Sequence, residues 1–232
     1  MDMKLCGLQK LTLLDYPGKV ACTIFTGGCN FRCPFCHNAD LVLPGRAPEE
    51  ITMDKLLSFL KKRTSVLDGV CVSGGEPLIQ PNLRPFLEEV KALGYSVKLD
   101  TNGSFPERLC ELAEAGLIDY AAMDIKNSPE RYAETIGVSG FDLAPVKESV
   151  SFLLRGSIAY EFRTTVVKEF HTEKDFLQIG EWIRGASRYY LQAFLDSGNL
   201  LEDGLSGYEK ADLERFAALL KPFVPHTEIR GI

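Results

Sequence analysis

Three cysteines fall within eight residues, at the spacing C-x3-C-x2-C: Cys29, Cys33 and Cys36. They directly follow an apolar, β-branched run over residues 20–26. This spacing lets three thiolates converge on one centre, whereas a disulfide would use two sulfurs and strand the third. A four-iron cluster normally takes four cysteine ligands, so three would leave one iron open to a substrate atom. The alternative is structural zinc, with His37 or a distant cysteine as the fourth ligand.

The overall composition is typical of a globular protein. With 232 residues, 45% hydrophobic and 25% charged, the chain is long enough for one substantial domain. The formal net charge of −6 argues against nucleic acid or an acidic membrane surface as the main partner. The N-terminus lacks the apolar core of a signal peptide, and no run approaches membrane-spanning length. Seven cysteines, three of them clustered, predict a reducing compartment, and we expect the cytoplasm.

Strands and helices are predicted to alternate along the chain. The predicted strands cover residues 20–26, 70–72, 96–100, 120–125, 158–167 and 189–194. Six strands, each followed by helical material, predict βα units and a mainly parallel sheet, either open and doubly wound or a partial barrel. In both architectures ligands bind outside the carboxyl ends of the strands. The unusual residues of this sequence collect at those ends.

Helix boundaries are predicted from capping residues and prolines. Ser104 and Glu107 predict a capping box, and Pro129 and Pro145 predict the first turns of two short helices. The proline- and glycine-containing stretch 44–48 predicts a turn. Further helices are expected over about 53–63, about 84–93, from a Thr172 cap towards residue 184, and over about 208–220.

A glycine pair follows the second predicted strand, as Gly74-Gly75-Glu76-Pro77. Two glycines permit positive φ and close backbone approach, so that peptide groups at the strand end could bond a ligand. A simple tight turn is an equally good explanation of this stretch by itself.

Charged residues two apart recur on three predicted strands, and residues at this spacing share a face. Asp124 and Lys126 could grip a zwitterion, or a ribose and a carboxylate, although a structural ion pair is also compatible. The other two sets are Lys98 with Asp100, and Glu161 with Arg163 and Thr165. Together they indicate a polar interior or cleft, whereas the alternative is a solvent-facing stripe on an edge strand.

Four further residues have simpler structural interpretations. Cys22 and Cys71 lie in apolar strands and are expected to be small core residues. His171 precedes a predicted helix and is expected to be a cap or a surface residue. Trp182 is expected to be packed on its helix.

The sequence resembles the radical S-adenosylmethionine (SAM) enzymes. The C-x3-C-x2-C motif, with Phe35 just before the third cysteine, and the Gly-Gly-Glu-Pro motif carry this resemblance. Further motifs resemble the activases of glycyl radical enzymes: LeuAspTyrProGly at 14–18, ThrGlyGlyCys, CysHisAsn, LeuAspThrAsnGly, MetAspIleLys and the terminal Arg230-Gly231. The resemblance covers roughly residues 7–200. The best fit is the activating protein of anaerobic ribonucleoside-triphosphate reductase, and the pyruvate formate-lyase activating enzyme is a close second.

The resemblance implies a set of site residues. Cys29, Cys33 and Cys36 would ligate three irons of one [4Fe–4S] cluster, and the fourth iron would chelate SAM. Gly74, Gly75 and Glu76 would position the SAM amino group, which Asp100 would also reach. The remaining contacts would be Phe35 and the backbone at His37 against the adenine, Asp124 on the ribose, Lys126 on the carboxylate, and Arg163 on SAM or the substrate loop.

The resemblance also implies a fold and an activity. The fold would be an α/β, mainly parallel, incomplete (β/α)6 TIM-like barrel in a single domain over residues 1–232, with a core of about 15–200 and a C-terminal helix and tail over 201–232. The enzyme would be an oxidoreductase of anaerobic metabolism that reductively cleaves SAM. The resulting 5′-deoxyadenosyl radical would generate a glycyl radical on a partner enzyme, with flavodoxin or ferredoxin as electron donor. The alternatives are a radical SAM enzyme acting on a small molecule, such as a deazapurine synthase, and a non-catalytic metal-binding module.

Overall fold

The computed structural model describes residues 3–43, 45 and 51–232. The strands are β1 (Leu5–Thr12), β2 (Ala21–Thr26), β3 (Gly69–Gly74), β4 (Ser96–Thr101), β5 (Tyr120–Asp124), β6 (Ala159–Val166), β7 (Tyr189–Ala193) and β8 (Thr227–Arg230). The helices are α1 (Ala39–Val42), α2 (Met53–Lys61), α3 (Leu83–Ala92), α4 (Pro106–Glu114), α5 (Tyr132–Thr135), α6 (Ala144–Leu154), α7 (Glu173–Trp182) and α8 (Lys210–Leu220). Apart from Gly45, the turn predicted at 44–48 lies outside the described residues. No helix within the described ranges is long and apolar enough to span a membrane.

The strands form an eight-stranded sheet whose spatial order follows the chain, from β1 to β8. The pairs β2–β3, β3–β4, β6–β7 and β7–β8 are parallel, whereas β1 pairs antiparallel with β2. The order leaves β1 and β8 as edges, so the sheet is open. The predicted α/β class with a mainly parallel sheet is confirmed. The six predicted strands are β2 to β7, and β1 and β8 are additional strands that the sequence interpretation missed.

The central strands are buried along most of their length. In β3, Val70, Cys71 and Val72 are fully buried, and in β5 Ala121, Ala122 and Met123 are fully buried as well. Continuous burial is the pattern of parallel strands covered on both faces. Cys22 in β2 is also fully buried, so the two strand cysteines are core residues, as predicted.

The described residues form two compact units, and the first contains Met1–Asn30, Asp40–Thr101 and Phe105–Ala121. Its α2 buries Leu56, Leu57 and Leu60 on one face, and the Thr52 side chain caps it by accepting from Lys55 N. The predicted capping box at Ser104 is wrong. The helix α4 begins at Pro106 without a side-chain cap, because proline at the first turn needs no amide partner.

The second unit contains Phe31–Ala39, Asn102–Ser104 and Ala122–Ile232. The predicted cap of α7 is confirmed as a capping box, in which Thr172 and Asp175 exchange side-chain to backbone hydrogen bonds. Pro145 lies in the first turn of α6, as predicted. Pro129 does not open a helix: it lies in the turn that precedes α5.

Candidate functional site

In the first unit, the glycine pair packs directly on the backbone that leads into the cysteine motif. Gly74 has φ of 122°, and a Cβ atom on it would lie 2.3 Å from the backbone N and O of Thr26. A Cβ atom on Gly75 would lie 1.9 Å from the carbonyl oxygen of Gly28, the residue before Cys29. Both positions therefore require glycine. The expected close approach of the backbone is present, but the backbone approaches another segment of the same chain and not a ligand.

Backbone hydrogen bonds lock the same turn. Gly75 N donates to Thr26 O at 2.9 Å, and Glu76 N donates to Gly28 O at 2.9 Å. The Glu76 carboxylate is fully buried, and its Oε1 accepts from Leu78 N at 3.0 Å and from Thr101 Oγ1 at 2.9 Å. Glu76 thus fixes the turn and the short 3₁₀ helix after it.

Asp100 lies at the end of β4 in an ion pair. Lys98 Nζ donates to its Oδ1, and Ser73 Oγ donates to its Oδ2 at 3.1 Å. The Lys98 side chain is only 2% exposed, and that of Asp100 is 17% exposed. The pair therefore belongs to a polar interior, as predicted, and does not form a solvent-facing stripe.

The second unit contains the part of the cysteine loop that carries Cys33 and Cys36, residues 31–39. Hydrogen bonds brace it at two points. Arg32 N donates to Ile136 O at 2.8 Å, whereas Leu201 N and Glu202 N both donate to Pro34 O, at 3.2 and 3.1 Å. Cys33 is buried and Cys36 is half-buried, and neither forms a disulfide. These contacts hold the loop between the segment that follows α5 and the segment that follows β7.

Three charged side chains converge after β5 and on β6. Asp124 accepts from Lys126 Nζ at 2.9 Å and from Arg163 Nε at 3.0 Å. All three side chains are at most one-quarter exposed. Burial alone would lower the pKa of Lys126, but Asp124 and the negative charge that Cys33 can carry outweigh it, so the net pKa is raised. Two of these three side chains are cationic, and cations suit an anionic ligand group.

The cysteine thiols are electrostatically linked to that cluster. Burial raises the pKa of Cys36, while the amide of Asn38 and the charge of Lys126 act in the opposite direction. A metal ion that binds the sulfur of Cys36 as a thiolate would displace the proton of the thiol. The ammonium of Lys126 would then favour the negative charge of that thiolate.

The two aromatic residues of the loop have different environments. Phe35 is buried, with its ring centroid 5.7 Å from that of Phe170 and 6.4 Å from that of His171. His37 is exposed, and its ring lies 5.5 Å from that of Phe194. Phe35 therefore packs in the interior of the unit, whereas His37 stands at its surface.

His171 is a residue whose environment sequence reasoning missed. It was expected to be a cap or a surface residue, but it is fully buried. Its Nδ1 accepts from Val167 N at 3.1 Å, and its Nε2 lies 2.9 Å from Lys126 O. A carbonyl oxygen can only accept, so the proton is on Nε2. This hydrogen bond holds the backbone of Lys126 in place. No sequence signal could have revealed this, because both partners are backbone atoms.

Glu161 and Arg230 form a second feature that was not predicted. Arg230 Nη1 and Nη2 donate to the two carboxylate oxygens of Glu161 at 2.7 and 3.0 Å, and the Glu161 side chain is 1% exposed. The expected polar interior on β6 is thus confirmed, but its partner comes from the unpredicted strand β8.

Sequence comparison decides the family. The profile of the Radical SAM superfamily matches residues 23–183. The chain belongs to the radical SAM superfamily. A protein of Methanocaldococcus jannaschii, provisionally named a glycyl-radical enzyme activating enzyme, is 30% identical over 242 residues, covering 100% of this chain and 98% of that protein. The chain is thus a homologue of the glycyl-radical-enzyme activating enzymes.

Two further similarities are more limited in extent. A pyruvate formate-lyase-activating enzyme of Staphylococcus aureus strain USA300 is 36% identical over 100 residues, which is 41% of this chain and 39% of that protein. The crystal structure of Streptococcus suis SuiB bound to S-adenosylmethionine has a TM-score of 0.69 at 14% identity and covers 88% of this chain and 48% of that one. At that identity the structure supports the fold alone.

Membership of the superfamily implies a [4Fe–4S] cluster and SAM. Among the described residues, no three His, Cys, Asp or Glu side chains are gathered as for a bound metal ion. The donor chemistry nevertheless fits: Cys29, Cys33 and Cys36 are not used in a disulfide, and all lie in one short loop. Thiolates are the ligands of iron–sulfur clusters.

Proposed function

We propose that this protein is a radical SAM activase that generates a glycyl radical on a partner enzyme. The observation that carries the proposal is the three-cysteine motif in a chain that matches the Radical SAM superfamily. The Methanocaldococcus jannaschii relative aligns over 100% of this chain. The braced cysteine loop, the locked glycine turn and the cationic cluster around Asp124 support it.

In this proposal, Cys29, Cys33 and Cys36 hold one [4Fe–4S] cluster. When bound, the cluster and SAM supply a one-electron reductive cleavage, and the 5′-deoxyadenosyl radical removes a hydrogen atom from the α-carbon of a glycine on the partner. Residues 38–70 contain no further cysteine, so we expect a single cluster. Electrons would come from flavodoxin or ferredoxin, because this chemistry needs a potential at the low end of the cluster range.

The contacts to SAM that we propose are those that the family resemblance implies. From the first unit, the backbone at Gly74 and Gly75, with Glu76 and Asp100, would receive the amino group. The second unit would offer Lys126 to the carboxylate, Asp124 to the ribose and Arg163 to SAM or to the incoming segment, with Phe35 and the backbone at His37 near the adenine. The ammonium of Lys126 suits the carboxylate.

The first partner we propose is anaerobic ribonucleoside-triphosphate reductase. A pyruvate formate-lyase type of partner is the second candidate, which the similarity to the Staphylococcus aureus enzyme favours. A single catalytic domain over residues 1–232 and a cytoplasmic location remain predictions that belong to this proposal.

The test is glycyl radical formation by the reconstituted enzyme. The protein is mixed anaerobically with SAM, a reductant and either candidate partner, and 5′-deoxyadenosine and the glycyl radical EPR signal are measured. We expect both products with the correct partner and neither with Cys33→Ala. Cys110→Ala removes a cysteine of α4 that is not part of the motif, and this variant should retain both. Deoxyadenosine without a radical on either partner would contradict the proposal and favour a small-molecule substrate.

A further inference from the structure

A lateral row of polar side chains crosses the last three strands of the sheet. The parallel register aligns Thr165 on β6 with Gln192 on β7, and Gln192 with Arg230 on β8. Register partners on adjacent strands point to the same face of a sheet. Arg163 and Tyr190, two residues earlier on their strands, are also register partners and share this face.

The charged members of this face already have partners. Arg163 donates to Asp124 at 3.0 Å, and Arg230 donates to both oxygens of the buried Glu161. To reach Glu161, the Arg230 guanidinium crosses the Tyr190 ring at 3.2 Å from its centroid. These cations are therefore held by carboxylates of the protein, and a ligand at the row would meet mainly neutral polar groups.

Thr165 and Gln192 are the neutral members of the row. Both are half-buried, and neither side chain makes a hydrogen bond to another residue within the described ranges. A carboxamide offers two donors and an acceptor, and a hydroxyl offers one donor and an acceptor. Polar groups in a partly buried position favour a hydrogen-bonding ligand, since leaving them unpaired costs free energy.

The row lies beside the groups already described in the second unit. Along β7 and the residue that follows it, Tyr190, Gln192 and Phe194 point to one face, and the Phe194 ring packs against His37, which directly follows Cys36. On β6, Thr165 lies two residues beyond Arg163, whose partner is Asp124. Gln192 is thus placed between the Arg230–Glu161 pair and the cysteine loop.

We infer that Gln192, assisted by Thr165, binds a backbone peptide group of the glycine-bearing segment of the partner enzyme. This inference rests on the proposed function. Glycine has no side chain, so the glycine itself can be recognised only through its backbone. A carboxamide pairs with both the C=O and the N–H of a peptide group, whereas the charged cluster at Asp124 suits the charged groups of SAM.

The test compares wild-type protein with Gln192→Leu, which keeps the size of the side chain and removes its hydrogen bonds. Glycyl radical formation is measured against partner concentration, with SAM binding and partner-independent deoxyadenosine formation measured on the same samples. We expect kcat/KM for the partner to fall about tenfold, mainly through KM, as for one to two lost hydrogen bonds. SAM binding should be unchanged, which also shows that the variant is folded.

Two further variants sharpen the result. Thr165→Val should produce a smaller loss in the same direction, and Gln192→Asn should recover part of the loss because it keeps the carboxamide. Gln9→Leu on the exposed part of β1 is the matched control and should behave like the wild type.

Three outcomes would overturn the inference. An unchanged KM for the partner in Gln192→Leu would show that the carboxamide does not meet the segment. Weakened SAM binding with an unchanged partner KM would assign Gln192 to the SAM site instead. If the wild-type protein cleaves SAM but forms a radical on neither partner, the proposed function fails and this inference falls with it.

Discussion

At the scale of single residues, Lys126 has the clearest assignment. Its ammonium donates to Asp124 at 2.9 Å, and its pKa is raised despite burial, chiefly by the negative charge of Asp124. Its backbone oxygen is fixed by His171 at 2.9 Å. The side chain is therefore charged and fixed before any ligand arrives, which reduces the ordering cost of binding.

Replacement of Lys126 by methionine should weaken SAM binding about tenfold to a hundredfold, because a hydrogen bond to a charged group contributes about 1.5–3 kcal/mol. A titration of the cluster-loaded protein with SAM, followed by EPR, measures this directly. Lys174→Met removes an exposed lysine that pairs with Glu130 and should bind SAM like the wild type. Equal affinity in the two variants would contradict the role assigned to Lys126.

At the same scale, the types of the site residues could be predicted from the sequence, but their partners could not. The spacing of Asp124 and Lys126 predicted a shared face, with a ligand site or a structural ion pair as the two interpretations, and the structure has the ion pair. The burial of His171 and the partner of Glu161 were unpredictable, since Arg230 lies 69 residues from Glu161 and meets it only through the strand order. Contacts of this kind depend on the whole fold.

At the scale of elements, the Gly74–Glu76 turn is a rigid connection between β3 and the segment that enters the cysteine loop. Gly75→Ala would place a methyl group 1.9 Å from Gly28 O, so one of the two backbones must move. We expect a loss of more than about 2 kcal/mol in the free energy of unfolding, together with weaker SAM binding, as for overpacking of a closed site.

Chemical denaturation of the two glycine variants measures this effect. Gly94→Ala is the matched control: its Cβ would meet nothing within 4 Å, and only its positive φ of 89° carries a penalty. That variant should lose about 1 kcal/mol. If Gly75→Ala were no more destabilised than Gly94→Ala, the turn would not have the rigidity described.

The buried His171 makes the second unit sensitive to acid. Burial lowers its pKa, and Nδ1 must stay unprotonated to accept from Val167 N. Below about pH 6.5 the unfolded chain binds a proton that the folded chain excludes, so stability is lost as the pH falls. The stabilising contribution is fully present above the unfolded pKa.

The expected difference can be measured by urea denaturation at about pH 7.5 and about pH 5.5. The wild type should lose about 1 kcal/mol more between these values than His171→Gln, which has no titrating group. Carboxylates contribute equally to both proteins and cancel in the comparison. An equal loss in both proteins would show that His171 is protonated in the folded state.

The elements that sequence reasoning missed have weak patterns. The burial of β1 does not alternate regularly along the strand, and its pairing with β2 shows two register shifts. The strand β8 is only four residues long. Neither offers the periodicity that identified β2 to β7, and β8 carries Arg230, which completes the polar face on which the inference about Gln192 depends.

At the scale of the whole molecule, the chain order of the strands explains why the site residues are far apart in sequence. Parallel strands bring their carboxyl ends to one edge. In the first unit, the glycine turn follows β3 and Asp100 lies near the end of its parallel neighbour β4. In the second unit, Asp124 is the last residue of β5. This arrangement could be predicted from the βα alternation alone. The division of the described residues into two compact units could not, because no linker separates them in sequence.

The central claim is that the three cysteines hold a cluster that SAM contacts directly. The measurement that tests it is EPR spectroscopy of the anaerobically reconstituted, reduced protein with and without SAM, followed by an assay for 5′-deoxyadenosine. We predict a [4Fe–4S]⁺ signal that shifts when SAM is added, and deoxyadenosine as product. A cluster that is indifferent to SAM, or an EPR-silent zinc centre, would contradict the claim and indicate a metal-binding module without this chemistry.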